Sequence, residues 1–127
     1  MRMWMVPPHL LCDRHLLGEH VELHMLEGSL LRGFSISGYV EQRITQPTAL
    51  HSRHEALVQE MVRRGMRHRS PLRTEPSYLL TLLDTEALLC TVDIAHSLAD
   101  LASRCPDCYQ RQQGGSKLLP CLRRYSK

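Results

Sequence analysis

A chain of 127 residues with a formal charge of +3 and 43% apolar residues is long enough to bury one core without disulfide staples. One Trp and one Phe against abundant Leu disfavour a β-sandwich or barrel and point to an all-α fold, a compact single domain of about three main helices joined by irregular loops. The mildly basic balance permits nucleic acid as a partner without demanding it, and five cysteines, an odd number, suit a reducing compartment better than a disulfide framework.

Arg2 is followed by only four residues before Pro7 and Pro8, too few for a signal peptide or a membrane span, so a cytoplasmic protein with no membrane partner is expected. Bulky Arg2 is also expected to protect Met1 from removal, making Met1 the mature N-terminus. An α-amine titrates near ~8, far below a lysine, so part of it is a neutral nucleophile at neutral pH. The bland alternative is a frayed end.

An amphipathic helix is predicted from Asp13 to Leu26, with the two prolines fitting its start and Gly28 or Gly33 its stop. At about 100° per residue, His15, Glu19 and Glu22 fall within about 60° of one another. Leu16, Leu23 and Leu30, with Cys12, form an apolar stripe beside them, which places the titratable strip at the border between core and solvent. On composition alone such a strip is most often a solvated face.

Residues 28–47 lose helical periodicity and read as loop or a short irregular segment. A second helix is predicted from Thr48 as N-cap to Gly65 as C′ residue, with His54 inside its apolar stripe as a packed, satisfied histidine. Arg63, Arg64, Arg67, His68, Arg69 and Arg73 make the densest basic run, either a solvated face or a track for phosphates. Leu79 to Leu89 reads as a short helix or buried connector broken at Asp84, and Asp93 caps a third helix ending near Arg104. Cys105 and Cys108 follow as a CxxC at that helix's C-terminal end, where the dipole disfavours redox chemistry; with Cys121 or a His it makes half a zinc site. Residues 109–127 are polar and basic, a mobile tail by default.

Two stretches resemble the pyrimidine-dimer DNA glycosylases, also called phage endonuclease V. In the first, Asp13, His15, Leu16, Glu19, Glu22 and Leu23 stand in the pattern Asp-x-His-Leu-x-x-Glu-x-x-Glu-Leu. The second runs from Arg53 to Gly65 and continues through Arg67-His68-Arg69-Ser70-Pro71-Leu72. The resemblance implies an all-α enzyme that uses its N-terminal α-amine as nucleophile, here that of Met1, with Glu22 as the catalytic carboxylate. It implies DNA contacts from Arg2, Arg14, His15, Glu19, Arg63, Arg64, Arg67 and Arg69, and double-stranded DNA with damaged pyrimidines as the partner of a monomer. The phage members carry arginines where this chain has Val21 and Met25, and Tyr109, Arg111 and Tyr125 are its candidates for lesion contact.

The implied reaction is excision of ultraviolet-damaged pyrimidines through an imine, followed by abasic-site lyase chemistry. It needs no metal or organic cofactor, and Cys105 and Cys108 enter only if zinc is present. The competing expectation is a non-catalytic, zinc-containing module that binds nucleic acid or protein.

Overall fold

The computed structural model describes residues 1–114, and among these it is all helix, turn and loop, with no strand. The three longest helices are α1 (Asp13–Leu31), α3 (Leu50–Arg63) and α6 (Ile94–Arg104); four short ones, α2 (Ser37–Glu41), α4 (Pro76–Leu80), α5 (Thr85–Leu89) and α7 (Pro106–Gln112), occupy the connections. The all-α expectation therefore holds. No helix among the described residues is long and apolar enough to cross a membrane.

α1 outlasts its predicted end by five residues. Gly28 is tolerated inside the helix, and Gly33, at φ +73°, takes the left-handed turn that ends it. The amide of Gly33 donates to Leu30 O and that of Phe34 to Ser29 O, a paired closure of the last carbonyls. α3 ends in the same way at Gly65 (φ +82°), with Gly65 and Met66 amides on Val62 O and Met61 O. Its start differs from the expectation: Thr48 lies in a 3-10 turn, Pro47–Ala49, and Ala49 is the N-cap without a side-chain bond. Proline 47 fixes the tight turn before the α-helix can begin. The other two predicted boundaries hold, since Asp84 and Asp93 accept from the amides of Ala87 and His96 and start α5 and α6.

Leu16, Leu23, Leu26 and Leu30 of α1 pack with Leu50, Leu57 and Met61 of α3, and Leu101 of α6 joins the same core. The N-terminal segment is part of that core rather than frayed. Met3, Trp4 and Val6 are buried, and the amide of Met3 donates to Ile44 O at 2.7 Å. Met5 turns the segment at φ +61°, a left-handed conformation that costs a non-glycine residue about 1 kcal/mol or more. At the other end, residues 109–112 belong to α7 and not to a tail: Arg111 is buried and donates to His9 O at 2.9 Å. Cys121 and Tyr125 lie outside the described residues.

Candidate active site

The buried N-terminal segment runs alongside α1, so the chain's first nitrogen meets the titratable strip. Met1 N stands 3.5 Å from Glu22 Oε2, and the amide of Arg2 donates to the same oxygen. Glu22 keeps 36% of its side chain exposed, while the Met1 side chain is 9% exposed, so the amine is held by packing and the carboxylate still faces solvent. A cleft beside them is walled by Arg2, Trp4, Arg14, His15, Gly18 and Arg104. An amine and a carboxylate sharing a walled, solvent-reached edge can deliver a nucleophile and a base to one substrate atom and its neighbour.

The remaining strip and basic residues divide. Glu19, expected at the DNA, is buried, and both its oxygens accept from Arg53, at 2.7 and 2.9 Å; its position on α1 turns it onto α3. Arg53 spends its third donor on Val6 O at 2.6 Å, which fastens the N-terminal segment to both helices. Arg64 is likewise structural: it reaches Glu60, Asp13, Pro8 O and Leu11 O and is only 10% exposed. Arg63 stays outside, paired with Glu60, whose carboxyl burial would raise but which Arg63 and Arg64 hold below its usual range. Arg67 and Arg69 are exposed in the loop after α3. Arg2 stacks over Trp4, with Cζ 3.9 Å from the ring centroid, and pairs with Asp100 at 2.9 Å. Arg14 is exposed at the cleft's rim. Val21 and Met25 are exposed on α1, as is Tyr109 on α7.

The CxxC finds its partners at the start of α1. Cys12, Cys105 and Cys108 are buried free thiols, and they converge with His15 so that one ligand atom from each lies within 4.8 Å of the others. His15 Nδ1 is 3.2 Å from Cys12 Sγ and 3.5 Å from Cys108 Sγ, and Cys12 and Cys105 sulfurs are 3.8 Å apart. The Cys108 amide approaches Cys105 Sγ at 3.5 Å and the Cys12 amide approaches Cys108 Sγ at 3.3 Å, donors suited to thiolates. The Cys108 side chain bonds to Cys12 and, with His15, lowers the Cys12 thiol to about 4 against the opposing effect of burial; Cys108 is pushed up. His15 thus turns Nδ1 toward the thiols while its ring meets Trp4 edge-on at 5.8 Å.

A family described as pyrimidine dimer DNA glycosylase matches residues 1–74, more than half of the chain. The chain belongs to that family. No curated protein and no solved structure matches it. The matched span holds the N-terminal segment, α1 and α3, so this glycosylase carries Met1, Glu22 and the Glu19–Arg53 pair inside the family region, while Asp100, Arg104 and the CxxC lie beyond it. Trp4, Asp100 and Arg104 were missed in the sequence. Trp4 stood in a short apolar run without periodicity; Arg104 reaches the cleft, and Asp100 reaches Arg2, only because α6 lies beside the N-terminal segment.

Proposed function

We propose that this glycosylase excises ultraviolet-damaged pyrimidines from double-stranded DNA, acting as a monomer, with the Met1 α-amine as nucleophile and Glu22 as base. The contact of Met1 N with Glu22 carries the reading. The neutral amine attacks C1′ of the deoxyribose; the C1′–N bond to the base breaks and the base leaves with that electron pair; the amine nitrogen gives up its protons and forms C1′=N as the C1′–O4′ bond breaks, O4′ taking that electron pair and a proton, which opens the ring and leaves an imine. The imine acidifies C2′. Glu22 removes a C2′ proton, a C2′=C3′ double bond forms, and the C3′–O bond breaks to release the 3′ phosphate. Before that step the carboxylate also offsets the positive charge of the opening sugar.

Arg14, Arg67 and Arg69 are free to meet phosphates, and Arg2 supports the cleft through Trp4 and Asp100. The decisive variant is Glu22→Gln, assayed by gel on a duplex with one abasic site. The reading expects elimination to fall by about 10²- to 10⁴-fold while the covalent imine still forms. Elimination at the wild-type rate would remove Glu22 from the role.

The Cys12, His15, Cys105 and Cys108 cluster favours adding zinc to this reading. A tetrahedral zinc sets sulfurs about 3.8 Å apart and sulfur and nitrogen about 3.5 Å apart, close to the separations found. With all four positions filled by protein the ion is structural and ties the start of α1 to α7. It would hold His15 by Nδ1 at the cleft wall, as a positioning residue. Stoichiometric zinc together with no strand cleavage would favour the competing binding module; stoichiometric zinc with cleavage favours the enzyme with a structural ion.

A further inference from the structure

α1 carries another polar pair one turn apart, His20 and His24, which faces α3 rather than the Met1 cleft. His54 of α3 and His68 of the following loop close on it. Five of the ring pairs have centroids 4.8 to 5.2 Å apart, His24 and His54 Nε2 atoms are 3.3 Å apart, and one ligand nitrogen from each of the four lies within 4.8 Å of the others. Imidazoles bound at about 2.05 Å around a tetrahedral ion place nitrogens about 3.3 Å and ring centroids about 5.2 Å apart. The rings already stand at that spacing.

The hydrogen bonding points the same way. His20 is buried, and its Nε2 has no hydrogen-bond partner, an arrangement that costs about 1 to 3 kcal/mol unless something fills it. A carbonyl only accepts, so the 2.9 Å contact of His68 Nε2 with Ser70 O fixes the proton on Nε2 and leaves Nδ1 as the ligand atom. Metal-binding histidines commonly donate their other N–H to a carbonyl in this way. By the same rule His54 Nε2, 3.2 Å from Ser70 O, carries its proton there, and an ion binding this nitrogen shifts that proton to Nδ1 or releases it. An ion that took this nitrogen would leave Ser70 its bond from His68.

We propose that His20, His24, His54 and His68 form a closed, tetrahedral site for a divalent transition metal of the zinc type. Four neutral imidazoles suit such an ion, and an ion there fastens the loop that carries Arg67 and Arg69 onto α1 and α3. The site stands apart from the glycosylase reading and from the cysteine cluster.

The test compares wild-type protein with His24→Ala/His68→Ala, two partly exposed positions, each stripped with chelator, reloaded with zinc and assayed for bound metal by atomic emission. The expected result is one equivalent fewer in the variant, whatever the cysteine cluster holds. Crystals of wild-type protein grown with zinc supply a readout that does not depend on the variant's folding: an anomalous peak amid the four rings. Equal metal content in a folded variant, or no anomalous density amid the rings, overturns the proposal.

Discussion

Replacing Arg53 by alanine strikes the contact that fastens the N-terminal segment. Arg53 is 6% exposed and Glu19 0%, and the guanidinium makes two bonds to the carboxylate and one to Val6 O. Removing it leaves a carboxylate buried without a cation and a carbonyl without a donor. Breaking such a pair from one side costs about 3 to 5 kcal/mol, a large share of the roughly 5 to 15 kcal/mol that holds a domain folded. At roughly 4 °C per kcal/mol for a domain of this size, melting should fall by about 15 °C. Thermal unfolding followed by far-ultraviolet circular dichroism measures it. Glu19→Leu/Arg53→Leu, which removes both charges, should recover at least half of the loss. Because Val6 O keeps no donor in the double variant, activity should remain low even where stability returns. A single variant that melts within about 4 °C of wild type would refute the claim that this pair anchors the segment.

Two further outcomes follow from how the charges divide. Arg64→Ala should lower stability by about 2 kcal/mol and leave the salt dependence of DNA binding unchanged, whereas Arg67→Ala and Arg69→Ala should each reduce the slope of log K against log salt by about 0.9 with melting unaltered, all read by fluorescence anisotropy at several salt concentrations. Glu27 is buried, which raises its carboxyl, but the Thr74 hydroxyl and the Arg73 and Thr74 amides outweigh burial and hold it below the usual 4.5. The unfolded chain therefore binds this proton at higher pH than the folded one, so the stabilisation is whole above 4.5 and is lost as pH falls through the depressed folded value. Denaturant titrations should show wild type converging on Glu27→Gln from roughly pH 5 toward pH 3; a constant gap would contradict this.

What was legible in the sequence was local. The stripe of Leu16, Leu23 and Leu30 and the glycine stop of α3 follow from helical period and the left-handed turn, and both appear as expected. The amine and Glu22 also meet, through a resemblance rather than through spacing. The burial of Glu19 against Arg53 was not legible, because 40° around the helix from His15 separates a solvent-edge position from one under α3, and only the partner helix decides which. The basic run concealed the same division, with Arg63 outward and Arg64 inward. Cys12 and His15 lie 90 or more residues from the CxxC, so no local pattern could join them. His20 and His24 did carry a signal, two histidines at i, i+4, but His54 read as an ordinary core residue until three other rings surrounded it.

The amine is the centre of the account, and borohydride trapping on a duplex bearing a single abasic site tests it most directly. Protein beginning at Met1 should give a covalent adduct stable to denaturing gel electrophoresis, and the same protein acetylated or extended at that nitrogen should give none. An adduct of equal yield from the blocked form would place the nucleophile elsewhere, and no adduct from the free form would contradict the imine altogether.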